Sequence, residues 1–217
     1  LTSDTDNNHL LAYYGDELFV DMSLATNAST LNPLDMSWGI QLVDVNNDGW
    51  LDIFSALGDQ IYEDMSIEPQ FIGAMQASVA LRTGDSFSEA REQFGFTEWG
   101  SFRSIVPFHW NGDGILDYWI TDVENAPLLM VSNLCSDNNW LEFTGPNHTA
   151  IKFWTGEQIW YGEINNNSSY GASRSPHWHV GLGDKRSIQN IMIRLPGKDW
   201  TVYAEELSTK QRISLNP

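Results

Sequence analysis

Short runs of alternating apolar and polar residues recur along this chain, and none sustains a helical period of useful length. Ile40 and Leu42 flank Gln41, Leu51-Asp52-Ile53-Phe54 follows and its run ends at Gly58, and Leu10-Leu11-Ala12-Tyr13 and Val79-Ala80-Leu81 add further apolar stretches. Alternation turns one face of a strand to a core and the other to solvent, so the pattern predicts β-strands punctuated by Gly, Asn and Asp turns. The polar stretch Asn133-Leu134-Cys135-Ser136-Asp137-Asn138-Asn139 reads as a boundary. Beyond it Trp140-Leu141-Glu142-Phe143 opens a strand. Ala150–Trp154 and Gln158–Tyr161 form a hairpin around Thr155-Gly156-Glu157, and Ile191–Leu195 precedes the turn Pro196-Gly197-Lys198. The expectation is an all-β chain with two parts, residues 1–135 and 136–217.

Between the first pair of predicted strands lies Asp44-Val45-Asn46-Asn47-Asp48-Gly49-Trp50-Leu51-Asp52, with short oxygen-bearing side chains at alternate positions around a glycine turn. Ca²⁺ takes six to eight oxygens at about 2.3–2.6 Å, and a loop curling around it presents alternate residues inward. Asp44, Asn46, Asp48 and Asp52 would supply side-chain oxygens and Trp50 a backbone carbonyl, with Gly49 at the sharp turn. An EF-hand is excluded because its twelfth position is Ser55 rather than Glu and its flanks are not helical. A metal-free Asx turn is the bland alternative.

The pattern returns at a constant offset of 65 positions in His109-Trp110-Asn111-Gly112-Asp113-Gly114-Ile115-Leu116-Asp117. Asn111, Asp113 and Asp117 retain three side-chain oxygen positions, and the Ile115 carbonyl matches that of Trp50. Outside the loop Ile40 meets Ile105, Val43 meets Phe108 and Phe54 meets Trp119, which makes this an internal repeat. Gly15-Asp16-Glu17-Leu18-Phe19 and Gly84-Asp85-Ser86-Phe87 extend the likeness upstream. His109 replaces the first carboxylate, and a neutral imidazole suits Zn²⁺ or Cu²⁺ better than a hard cation. Weaker calcium binding than in the first loop, or a metal-free turn, is expected there.

A repeat of about 65 residues holding several short strands fits a propeller blade, a small sheet that needs neighbours to cover its faces. Ser37-Trp38-Gly39-Ile40 leading into the first loop, and Ile105-Val106-Pro107-Phe108 leading into the second, resemble FG-GAP/VCBS repeats, the calcium-loop blades of integrin-type propellers and secreted bacterial proteins. The remainder resembles the ASPIC/UnbV domain of cartilage acidic protein and its bacterial relatives. The likeness rests on Gly145-Pro146-Asn147, Thr155-Gly156-Glu157-Gln158, Ser168-Ser169-Tyr170-Gly171, His179-Val180-Gly181-Leu182-Gly183 and Leu195-Pro196-Gly197. The resemblance implies propeller blades, incomplete in this chain, followed by a small β-sandwich-like domain. It also implies Ca²⁺ and an extracellular, periplasmic or cell-surface setting. A ring needs at least four blades, so missing upstream sequence, a second chain, or the C-terminal domain is expected to cover the open faces.

Composition narrows the partners. Eleven Lys and Arg face 29 Asp and Glu, a net charge of −18 that disfavours nucleic acid and anionic membranes and favours cations. No apolar run approaches the length of a membrane span, and the start at Leu1 inside a repeat suggests a fragment or processed chain. Cys135 is the single cysteine and reads as a small hydrophobe. No Gly-x-Ser-x-Gly elbow, phosphate-cradling glycine loop or Cys-x-x-Cys pair occurs. His177 and His179 lie two apart on one strand face, a spacing that binds Zn²⁺ or Cu²⁺ if a third ligand converges; as framework residues they need no metal. Ten Trp, with Trp154, Trp160, Tyr161, Tyr170 and Trp178 in the last part, leave two roles open, core packing and stacking of sugar rings. The sequence therefore points to an extracellular calcium-binding interaction or adhesion module without catalysis, engaging a protein or glycan partner. The alternatives are a carbohydrate-binding accessory protein, and part of a secreted enzyme whose catalytic residues lie elsewhere.

Overall fold

The computed structural model describes residues 8–28, 36–58, 75–134, 136–167 and 169–215. Cys135 lies outside them, as does Ser168 of the Ser-Ser-Tyr-Gly segment. Among the described residues the regular elements are all strands, so the all-β expectation holds.

The first part runs β1 (Leu11–Tyr13), β2 (Phe19–Asp21), β3 (Ser37–Val43), β4 (Asp52–Leu57), β5 (Met75–Gln76), β6 (Ser78–Thr83), β7 (Ser86–Glu89), β8 (Trp99–Gly100), β9 (Phe102–Phe108), β10 (Asp117–Asp122) and β11 (Leu128–Met130). β1 and β2 form a hairpin turned through Gly15 and Asp16, both at positive φ. β3-β4-β6-β7 make one antiparallel sheet and β9-β10-β11 a second, with β5 and β8 paired between them. The bounds of β9 and β10 are those of β3 and β4 displaced by 65 residues, so the repeat in sequence is a repeat in structure.

Why β4 reads as a nearly continuous apolar run is now clear: every residue of it is buried. Phe54 and Ala56 pack with Val43, Phe102, Ile105 and Tyr118 in a core between the two sheets. Ile53, on the opposite face, joins Ala80 and Phe87, covered by Leu10 and Ala28 beside the β1–β2 hairpin. The three layers therefore stack face to face in chain order. Full burial of Phe54, Phe102 and Ile105 contributes about 1.5–3 kcal/mol each.

The second part runs β12 (Asn139–Thr144), β13 (Thr149–Thr155), β14 (Gln158–Asn167), β15 (Ser173–Gly183), β16 (Ser187–Arg194), β17 (Thr201–Ser208) and β18 (Gln211–Ser214). All seven join in one sheet ordered β17-β16-β13-β14-β15-β12-β18. Its two edge strands are consecutive in the chain. Ser208 pairs with Ser187 at one edge and Gln211 with Leu141 at the other, so the sheet curls until the Thr209–Lys210 turn spans the gap, helped by the positive φ of Lys210. The sandwich-like domain expected from sequence is thus one nearly closed sheet. Leu141, Phe143, Ile151, Phe153, Ile164 and Ile188 fill its interior.

Candidate functional site

The loop between β3 and β4 is held by its own carboxylates. Positive φ at Asn47 and Gly49 reverses the chain. The backbone N–H of Asp48 donates to Asp44 Oδ1 and Asn46 Oδ1, both at 3.1 Å, and that of Gly49 donates to Asp44 Oδ2 at 2.7 Å. Asn46 Nδ2 donates to Asp48 Oδ2 at 3.0 Å, and Trp50 N to Asp48 Oδ1 at 2.8 Å. Asp52 spans the loop mouth, accepting from Val45 N at 2.9 Å and from Arg82 N on β6 at 2.8 Å. Trp50 is exposed, with the Arg82 guanidinium 4.5 Å above its ring.

The loop between β9 and β10 repeats these bonds. Asp113 N donates to Asn111 Oδ1 at 3.1 Å, Asn111 Nδ2 to Asp113 Oδ2 at 2.8 Å, and Ile115 N to Asp113 Oδ1 at 2.8 Å. Asp117 takes Trp110 N at 2.6 Å and Ser132 N beyond β11 at 2.9 Å. The difference lies at His109, where Asp44 stands in the first loop. Its Nδ1 is 3.1 Å from the Ile115 carbonyl, and its Nε2 turns away to lie 3.1 Å from His179 Nδ1 and 3.5 Å from Glu142 Oε2. With its side chain 1% exposed, His109 faces the C-terminal sheet and occupies the carbonyl expected as a ligand.

Both loops are seated on that sheet. Asn47 accepts from Gly183 N through its carbonyl at 2.9 Å, its Oδ1 lies 2.7 Å from His179 Nε2, and its Nδ2 donates to the Gly114 carbonyl at 2.9 Å. The Asn46 carbonyl accepts from Asn138 Nδ2 at 3.0 Å and Ser136 Oγ at 3.3 Å. A Cβ on Gly181 would collide with Asp44 Oδ2 and come within 2.5 Å of Asn47 Cα, and one on Gly114 would enter the Trp140 indole. The glycines of His179-Val180-Gly181-Leu182-Gly183 therefore make room for the first loop. Trp140 stacks on His179, ring centroids 6.1 Å apart at 20°, and packs against His109 at 5.7 Å. Buried Glu142 accepts from Arg212 Nε at 2.5 Å.

Burial shapes the charges here. It lifts the Asp44 carboxyl to about 7, against the bond from Gly49 N and reinforced by the Asp48 and Asp52 charges. Burial also lifts Asp52 to about 6, opposed by the Arg82 and Val45 N–H bonds. It pushes His179 well below the ordinary imidazole value, and His177 to about 4 with help from the Arg174 charge. His177 Nδ1 lies 2.9 Å from the Ser175 carbonyl, and its buried Nε2 has no hydrogen-bond partner among the described residues. The buried Tyr118 hydroxyl likewise has no partner among the described residues, its phenol raised well above the usual range by burial and by Asp52, Asp44 and Asp117.

These observations bear on the expected Ca²⁺. Asp44, Asn46, Asp48 and Asp52 share one tight turn, all their candidate atoms are hard oxygens, and Asp44 is 4% exposed and repelled by two other carboxylates. That donor set fits a divalent cation, although the carboxylates here point their oxygens at backbone N–H groups. Among the described residues no three His, Cys, Asp or Glu form a metal-holding group. In the second loop Asn111, Asp113 and Asp117 keep the oxygen chemistry with one carboxylate fewer. Both ring nitrogens of His179 are engaged, by His109 and Asn47.

Several residues at this junction are invisible to motif reading. Asn47 lies between two candidate ligands and faces the other way, to the C-terminal sheet. Glu142 left one trace, a charge inside the apolar run Trp140-Leu141-Glu142-Phe143. Of the aromatics considered for sugar stacking, Trp160 and Trp178 pack against the barrel core, and Tyr170 meets Trp38 edge-on at 5.3 Å.

The family model described as ASPIC and UnbV matches residues 148–217, so the C-terminal part of the chain carries an ASPIC/UnbV domain. No curated protein matches the chain. The matched stretch contains the His179–Gly183 strip but not β12, which supplies Trp140 and Glu142 to the same sheet.

Proposed function

We propose that this chain is a calcium-stabilised, non-catalytic interaction module of an extracellular, periplasmic or cell-surface protein. In this reading residues 1–135 are successive FG-GAP/VCBS-type propeller blades, and the ASPIC/UnbV domain is seated on their loop ends. Ca²⁺ would be held in the first loop by Asp44, Asn46, Asp48, the Trp50 carbonyl and Asp52, and more weakly in the second by Asn111, Asp113 and Asp117. The observation that carries the reading is the pair of acidic loops 65 residues apart, with matching side-chain-to-backbone bonds, each joining strands of matching bounds. Face-to-face stacking of the three layers supports blades, because a blade's faces are covered by its neighbours. Further blades, from the same or another polypeptide, would complete the ring that meets a protein or glycan partner.

Thermal unfolding in EDTA and in excess Ca²⁺ tests the cation. A ligand bound only by the native state at about 100 times its Kd adds about 2.7 kcal/mol, roughly 5–10 °C in Tm for a chain of this size. Asp48→Ala should remove most of that increment. Superimposable melts of the unaltered protein in EDTA and in calcium would refute the assignment.

A further inference from the structure

The outer face of the C-terminal sheet gathers aromatic and basic side chains that neither the loops nor the barrel core uses. On β13, Ile151 and Phe153 point into the core, which leaves Lys152 and Trp154 on the opposite face. Register places Tyr161 and Met192 on either side of Lys152, Ile159 opposite Trp154, and Val202 beyond Met192. Trp200, just before β17, leans over this face. Lys152 Nζ lies 4.5 Å and Arg194 Cζ 5.0 Å from its ring centroid, the Tyr161 ring meets it edge-on at 6.3 Å, and Lys152 is also 5.9 Å from Trp154. Ile159 and Tyr161, two apart on β14, are each 60% exposed, and Val202, across Met192 on β17, is 63% exposed.

The charges make this face unusual in its own chain. Residues 1–135 hold three Lys and Arg against 21 Asp and Glu, whereas residues 136–217 hold eight of each, so the entire net charge of −18 belongs to the first part. Among the described residues Lys152 and Arg194 form no ion pair, and the nearby Glu163 is taken by His148 Nδ1 at 2.9 Å. Two cations held over an indole on an apolar face, with no carboxylate partner among the described residues, are placed to take anionic groups, while Glu163 and Glu206 stand at the margins of the same face.

We propose that this face binds an acidic polysaccharide, with sugar rings stacked against Trp154 and Tyr161 beside Trp200, and carboxylate or sulfate groups on Lys152 and Arg194. Aromatic rings offer flat apolar area to the C–H faces of pyranoses, and the two cations pair with charges repeated along such a polymer. β13, β14 and β16 each have hydrogen-bonded neighbours on both sides, so this face presents no free strand edge to an acidic peptide. The inference stands apart from the calcium loops, which lie against β12 and β15.

The test is titration of the full chain, in EDTA and low salt, with oligogalacturonate, heparin oligosaccharide, neutral dextran and poly-glutamate, followed by tryptophan fluorescence and calorimetry. Working in EDTA separates the outcome from that of cation binding. Expected are saturable binding of an acidic oligosaccharide that weakens as salt rises, and a loss of about tenfold or more in the Lys152→Gln/Arg194→Gln variant, the scale of one lost charge-assisted hydrogen bond. Trp200→Phe should weaken binding while keeping an aromatic ring in place. Unchanged affinity in the double variant, equal affinity for dextran, equal affinity for poly-glutamate, or no binding of either acidic oligosaccharide would each overturn the proposal.

Discussion

Replacing Gly181 with Ala adds one methyl group at the seat of the first loop. The new Cβ would lie 2.5 Å from Asn47 Cα and 2.7 Å from Asn47 C, besides meeting Asp44 Oδ2. Ordinary carbon contacts sit at about 3.5–4.0 Å, so the obstruction is roughly 1 Å. Two of the obstructing atoms are backbone, and no rotamer change relieves them; the loop must lift or the strand must retreat. Lifting forfeits the Gly183 N–H to Asn47 carbonyl bond, the His179–Asn47 contact and the Asn138 bond to the Asn46 carbonyl. At about 1 kcal/mol for each bond the loss is about 3 kcal/mol, within the upper range for overpacking. Scanning calorimetry should therefore show Tm falling by roughly 6–12 °C. Gly197→Ala is the control, because its φ of +69° makes Ala strained while nothing lies within 4 Å of the added group. That strain is worth about 1–2 kcal/mol. Asn47→Ala should remove part of the same bonding, so the two substitutions should be non-additive by about 1 kcal/mol or more in a double-mutant cycle. If Gly181→Ala melted within about 1 °C of the unaltered protein, the seating of the loop on the glycine strip would be wrong.

Other consequences are open to measurement. His109→Asp restores the missing carboxylate of the second loop but sets it beside buried Glu142; calcium affinity there should rise by calorimetry while the calcium-free protein unfolds at lower denaturant concentration. Asp117→Asn leaves one oxygen where two backbone N–H groups, of Trp110 and Ser132, now donate, and should cost about 1–3 kcal/mol in urea unfolding; equal midpoints would refute its clamping role. His177 is depressed to about 4 from an ordinary 6.5, so the unfolded chain takes up its proton first as pH falls. The associated stability is present above about pH 6.5 and is lost on acidification toward pH 4, about 3 kcal/mol in all, and His177→Gln should flatten that part of the stability profile.

The sequence by itself determined the all-β class, the internal repeat and the positions of both loops, because alternation and turn residues act over a few neighbours and leave local marks. The Asp-x-Asn-x-Asp-Gly spacing marked a loop rich in short oxygen-bearing side chains between two strands, and a tight turn stands there between β3 and β4. What local pattern could not decide was which way each side chain of the loop would face. Asn47 lies between two candidate ligands, yet it turns to His179, 132 positions away, and His109 keeps its Nδ1 on its own loop while its Nε2 faces Glu142 and His179. The closure of the C-terminal sheet also came from afar: Gln211 pairs with Leu141 only because two edge strands joined by a short turn must curl together. The patch around Trp200 follows from strand pairing, since Lys152, Tyr161 and Arg194 lie on three neighbouring strands whose register no single stretch of sequence specifies. Contacts of this kind depend on the summed packing of distant segments, and the tertiary structure alone supplies that sum.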